Sequence, residues 1–331
     1  MNTLFILRCP LGDCVITSCL LKDYKEQYPN ETLYVLSNEH FMDLFKNNTY
    51  FNIYDKNLKY DKIYDYELHA FDTGEQSVLK NHLLSIGEMT LQDTPYFYFK
   101  RIFNVSITHN TKIPCINLVD EQKEKINSDK PICLINPIGI FFNFDCRYFG
   151  FHRMQQIVND FKDKINFIAI GNCTYNQLLQ PTKLQNLYMD LINKTTVFEL
   201  LKYIYNADIV FTGESGIWHI SNIQSDKPRH IIIPMGARYL ERSNSYSTPN
   251  VVIHMLTNAN TEYYQQHCLD KYEVNCLRYT LLSNINNLKL DDDNPCKRPV
   301  LLNGDLLSHC MANISIEQVE NEINSILFEM K

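Results

Sequence analysis

The chain has 331 residues, of which 45% are apolar and 21% charged. That composition excludes disorder, collagen and coiled coil as the main state, and at roughly 150 residues per domain it predicts two domains. Thirty-one lysines and arginines face 38 aspartates and glutamates, a net charge of −7. A protein that grips phosphates along a nucleic acid carries a basic surplus, so nucleic acid is not an expected partner.

No uninterrupted apolar run approaches the ~18 residues of a membrane span. The opening MNTLFILRCPLGD has only a short apolar run with no charged region before it, and Arg8 breaks that run, so it reads as a core strand rather than a secretory signal. Eleven cysteines spread over a large chain are unlike a small secreted scaffold. The expectation is a cytoplasmic protein with mostly reduced thiols, with peripheral association at the inner membrane left open.

In chain order, Thr3–Arg8 (TLFILR) is a short apolar run, a predicted buried strand. Cys9–Asp13 reads as a turn. Val15, Ile16, Cys19, Leu20 and Tyr24 then recur at helical spacing until Pro29 and Asn30. Thr32–Ser37 (TLYVLS) is the next strand, so strand, helix and strand form a βαβ unit and imply a parallel sheet. A further strand is predicted at 61–68 and a helix at 77–89, whereas 94–118 is aromatic-rich and fits no pattern. Asp120–Asp129 is polar and precedes Pro131, which marks a linker or linking helix. The alternation then restarts, with strands at 132–136, 165–170, 208–212 and 230–233 and helices at 151–163, 196–206 and 216–223. Two such series indicate two Rossmann-like domains. The predicted division is 1–128, 129–255, and a C-terminal extension at 256–331 that closes on a helix at 315–329. Ser315 with Gln318 has capping-box spacing, and Val319, Ile323, Ile326 and Leu327 form the apolar stripe.

Ligands of open parallel sheets sit at the carboxyl ends of the strands, so the loops 9–13, 137–150 and 212–216 are candidate site loops. Gly12 permits a tight turn. Asp13 is either a helix cap or a carboxylate placed as general base. In DIVFTGESGIWH a strand runs into Gly213, Glu214, Ser215 and Gly216, then a helix bearing His219. Two glycines allow close backbone approach, and a helix amino terminus suits a diphosphate. The alternative is an ordinary strand-to-helix turn with Ser215 as cap and His219 in the core. Arg147 is either solvent-facing or a neutralising group for a departing diphosphate.

Taken in order, these segments resemble the heptosyltransferase family, glycosyltransferase family 9. LFILRCPLGDCVITSCLLKDYKEQYPNETLYVLS resembles its opening strand, Gly-Asp loop and helix. ICLINPIGIFFNFDCRYFGFHRMQQIV resembles the start of its second domain, with Arg147 at a Lys position and Phe149–Gly150 in place of Trp-Pro. Glu214-Ser215-Gly216-Ile217-Trp218-His219 resembles its D-[ST]-G-x-x-H block, with Glu for Asp. The resemblance spans most of residues 3–234. It implies an α/β GT-B fold, two Rossmann-like domains facing a central cleft, with acceptor on the first and nucleotide-sugar on the second. It further implies an inverting, metal-independent transfer of heptose or a related sugar from ADP-heptose to a hydroxyl of a glycan or protein. By the same resemblance Asp13 is the catalytic base, while Gly12, Arg147, Glu214, Ser215, Gly216 and His219 bind the substrate. Rival readings are another GT-B enzyme such as an epimerase, or a non-catalytic nucleotide-sugar-binding or assembly protein; a homo-oligomer is open.

Asp291-Asp292-Asp293 has no apolar strand before it and reads as a solvated acidic loop. Cys268, Cys276, Cys296 and Cys310 share one irregular region without the short knuckle spacing of a structural zinc site. They are read either as unpaired thiols or as a structural iron or zinc site, like the iron-binding insert of family members that glycosylate autotransporter proteins. No cofactor is expected for catalysis.

Overall fold

The computed structural model describes residues 1–66, 89–137, 147–172, 183–235, 246–257 and 300–330. The expected helix at 77–89 except for Met89, which is not helical, the loop 138–146, and Cys268, Cys276, Cys296 and Asp291–Asp293 lie outside them.

The first sheet is parallel throughout, in the order β3-β2-β1-β4, with β1 at Asn2–Leu7, β2 at Thr32–Ser37, β3 at Asn52–Ile53 and β4 at Lys62–Tyr66. β1 lies between two strands and buries Leu4, Phe5 and Leu7, as its apolar run requires. The first helix, Leu11–Gln27, crosses back from β1 to β2. The aromatic stretch at 94–118 resolves into a helix, Thr94–Phe103, and an irregular strap. Buried Asp23 of the first helix fixes both, accepting from Tyr96 Oη at 2.7 Å, Asn110 N at 2.9 Å and Thr111 N at 3.1 Å. A fully bonded carboxylate is the form in which a buried charge is tolerated.

The second sheet is also parallel, in the order β10-β9-β8-β5-β6-β7: β5 Ile132–Ile135, β6 Asn166–Ala169, β7 Met189–Asp190, β8 Ile209–Phe211, β9 Arg229–Pro234 and β10 Val251–Leu256. From β5 the chain builds outward first to β6 and β7, then to β8, β9 and β10. This is the dinucleotide-fold order with its reversal between β5 and β8. The first sheet reverses in the same way between β1 and β4. Helices Phe151–Phe161 and Val197–Asn206 carry the crossovers.

The carboxyl-terminal part adds an antiparallel hairpin, β11 Val300–Leu302 and β12 Asp305–Leu307. Its turn is Asn303-Gly304, both at positive φ, the pairing that a two-residue hairpin demands. A short helix, His309–Ala312, leads to the last helix, Ile316–Glu329. The expected capping box of Ser315 and Gln318 is formed, and Val319, Ile323 and Ile326 are buried against Phe151–Phe161 and strands β9 and β10. Among the described residues no helix is long and apolar enough to cross a membrane.

Candidate functional site

Each sheet sends a strand-to-helix turn from its reversal point to the same place. In the first, the helix starts earlier than the turn reading of Cys9–Asp13 predicts. Pro10 occupies the cap position, so Gly12 and Asp13 lie in the first helical turn. Proline's fixed φ suits a helix entry. In the second, the helix Gly216–Ser221 begins after Ser215. Ser215 makes no side-chain cap bond. Its hydroxyl lies 3.2 Å from Thr212 Oγ1 and 3.5 Å from Asn136 Nδ2, at the ends of β8 and β5.

The two helix starts touch through their glycines. A Cβ on Gly12 would lie 2.8 Å from His219 Cδ2 and 3.3 Å from Gly216 Cα; one on Gly216 would lie 3.2 Å from Gly12 N. Backbone contact this close admits glycine and little else. The first turn of the first helix, which carries Asp13, is thereby pressed against the second motif.

Glu214, its side chain 10% exposed, lies between two basic side chains. Arg147 Nη1 donates to Oε2 at 3.3 Å, and His219 Nε2 meets Oε1 at 3.1 Å. Gly213 lies against the Arg147 carbonyl with no room for a side chain. Burial alone would raise the Glu214 pKa, but the His219 hydrogen bond and the Arg147 charge overcome it and hold the group at about 2. Glu214 is therefore ionised at neutral pH. His219 is buried, and its Nδ1 lies 2.9 Å from Tyr246 Oη. Burial pushes the Tyr246 phenol well up, and the Asp13 charge adds to the effect.

Gly12, Asp13, Arg147, Glu214, Ser215, Gly216 and His219 thus converge from three distant segments. Cys310 does not join them. It is a buried thiol on the short helix His309–Ala312, 3.4 Å from Ser308 Oγ. Among the described residues no group of three or more His, Cys, Asp or Glu is placed to hold a metal. Asn136, Thr212, Tyr246 and Gln92 border the site and are not among the candidate residues of the sequence. Asn136 and Thr212 each end a predicted strand and are findable by position; Tyr246 and Gln92 sit in segments with no periodic signal.

No family model matches the sequence, and no curated protein matches it. Solved structures do. Over all of this chain and 99% of its own, E. coli ADP-heptose lipopolysaccharide heptosyltransferase II is similar at a TM-score of 0.58 and 11% identity. A glycosyltransferase of family 9 from Veillonella parvula is similar at 0.54 and 10%, over 99% and 97% of the two chains. The iron-containing dodecameric glycosyltransferase TibC from enterotoxigenic E. coli is similar at 0.62 and 13%, over 100% of this chain and 77% of its own; TibC has also been solved with ADP-D-β-D-heptose. The protein therefore has the GT-B fold, with its motif residues gathered where the two sheets' reversal points meet.

Proposed function

We propose that the protein is a glycosyltransferase that moves a heptose, or a closely related sugar, from ADP-heptose to a hydroxyl of a glycan or protein acceptor. The observation that supports this most is the convergence itself: three segments resembling one family's motifs, the first more than 130 residues from the second, share one cluster on the fold of solved heptosyltransferases.

In the proposed step, Asp13 takes the proton of the acceptor hydroxyl. That oxygen bonds to the anomeric carbon from the face opposite the leaving group, and the bond from this carbon to the diphosphate oxygen breaks, inverting the centre. The negative charge appearing on ADP is met by Arg147 and by the backbone N–H groups of the turn at Ser215–Gly216, with no metal assigned to the step. Glu214 holds Arg147 in place before the donor arrives. A positioned base contributes about 10²–10⁴-fold, and donors aimed at developing charge a comparable or larger factor.

The test is a thermal-shift panel of ADP-, GDP-, UDP- and dTDP-sugars, then turnover of any ligand that binds. An ADP-sugar at 100 times its dissociation constant should stabilise by roughly 2.7 kcal/mol. Asp13→Ala should keep that shift and lose turnover. A preference for a UDP-sugar, or unchanged turnover in Asp13→Ala, would overturn the reading.

A further inference from the structure

His219 is gripped on both ring nitrogens. Nε2 faces Glu214 at 3.1 Å and Nδ1 faces Tyr246 Oη at 2.9 Å. The ring is buried, and its Cδ2 edge lies against the start of the first helix, where Gly12 leaves it room. A half-turn of this ring would put carbon where each nitrogen stands and abandon both bonds.

The proton positions are dictated by the partners. Glu214 is an ionised carboxylate and only accepts, so Nε2 carries a hydrogen. Arg147 already pairs with Glu214, so the carboxylate facing Nε2 has its counter-charge without a charged ring. The ring is then neutral, Nδ1 is an acceptor, and the Tyr246 hydroxyl donates to it.

Tyr246 faces groups of both halves of the molecule. Its ring packs edge-on against Trp218 with centroids 6.0 Å apart. Gln92 of the first domain and Asp13 of the first helix act on its hydroxyl electrostatically. No motif includes Tyr246.

We infer that Tyr246 is the positioning residue of the site: its hydroxyl holds His219 in the Nε2–H form and in one ring orientation, which aligns Glu214 on Arg147 and ties that alignment to the docking of the first domain. The role in turnover rests on the transferase reading above; the ring geometry does not.

The experiment records long-range ¹H–¹⁵N correlations of the histidine rings in the full chain, as wild type and as Tyr246→Phe. The wild-type spectrum at neutral pH should contain a ring protonated at Nε2 with an unprotonated, hydrogen-bonded Nδ1. In Tyr246→Phe that Nδ1 signal should move to the position of a free acceptor. Absence of such a ring from the wild-type spectrum, a proton on its Nδ1, or no change in Tyr246→Phe would overturn the inference, and the wild-type spectrum decides even if the variant does not fold. Turnover adds a readout that a merely structural role would not move: kcat should fall about tenfold with donor KM unchanged. A wild type that turns over no nucleotide-sugar would sink the functional reading and leave the spectra to judge Tyr246.

Discussion

Two carboxylates with little exposure in the second half of the molecule stand in similar company and are held in different ways. Asp305, at the start of β12, is beside His152, Arg153 and Tyr148; Glu214 is beside His219, Arg147 and Tyr246. Asp305 accepts from the backbone N–H groups of Phe151 at 2.8 Å, His152 at 2.9 Å and Arg153 at 3.3 Å, and from Tyr148 Oη at 3.2 Å. It caps a helix whose own cap residue, Gly150, has φ of 113° and no side chain to offer. Arg153 donates instead to the carbonyls of Phe149, Met311 and Ile314, and burial brings it down to about 10. Asp305 and Arg153 thus clamp the carboxyl-terminal segment to the helix Phe151–Phe161 with bonds made mainly to backbone. Glu214 is held by side chains alone in its two closest bonds. Backbone donors cannot leave without unfolding; side-chain donors can turn to a ligand. That difference separates a brace from a candidate site.

The largest expected effect comes from Glu214→Gln. With its partner carboxylate neutral, Arg147 loses its aim, and turnover of the sugar nucleotide should fall by about 10²-fold. Stability carries a second signature. The Glu214 pKa is depressed, from 4.5 unfolded to about 2 folded, so its contribution is fully present above the unfolded value and is lost as pH falls through the folded one. The shift corresponds to roughly 3 kcal/mol at neutral pH, more than half of it gone by about pH 3. Urea unfolding of wild type and variant at both pH values checks this: the gap between them should close on acidification. A gap independent of pH would refute the assignment.

Asp305→Ala should give the opposite pattern. Three helix N–H groups lose their acceptor in a buried setting, at a cost of about 3 kcal/mol, while turnover per folded molecule stays near wild type. Denaturant melts with active-site titration measure the two separately. Equal losses of turnover in Asp305→Ala and Glu214→Gln would erase the distinction between brace and site.

Legibility in the sequence divides along the same line. β5, β6, β8 and β9 are readable because strands covered on both faces are unbroken apolar runs, and the last helix is readable from Ser315, Gln318 and its stripe. β10 is not: it is an edge strand with Val252 and Met255 exposed, so its pattern does not mark a buried strand. The hairpin at 300–307 escapes the periodicity because its strands are three residues each, although Asn303-Gly304 is its turn signal. The first helix begins at Leu11, inside the predicted turn, because Pro10 suits a turn and a helix entry equally well. At the site, the residues gathered around Glu214 and Gly12 lie in motifs with local spacing. Asp305, Gln92 and Tyr246 meet their partners only through tertiary packing, across up to 154 residues for Asp305 and Phe151, and no local pattern announces such a pairing.

Gly12→Ala tests the contact between the domains with a smaller change. The added methyl meets the His219 ring edge at 2.8 Å, so either the ring or the first helix must give way. Overpacking of this kind costs about 1.5 kcal/mol. Either displacement moves a part of the cluster, so turnover should fall more than stability accounts for, by about tenfold. Thermal melts and kcat on the same preparation separate the two.

The smallest effect calibrates the others. Ser315 caps the last helix by accepting from Gln318 N at 3.1 Å, at an exposed position remote in sequence from Glu214. Ser315→Ala removes one solvent-reachable cap bond, and denaturant melts should show a loss of about 1 kcal/mol with kcat unchanged. That value is the scale on which Asp305 must be judged, since both residues cap a helix and differ in burial and in the number of N–H groups served. If Asp305→Ala costs no more than Ser315→Ala, water replaces the carboxylate freely, and the clamp is only a surface cap. If it costs several times more, the donors it leaves are sealed from solvent, and the contrast with Glu214 rests on energy as well as geometry.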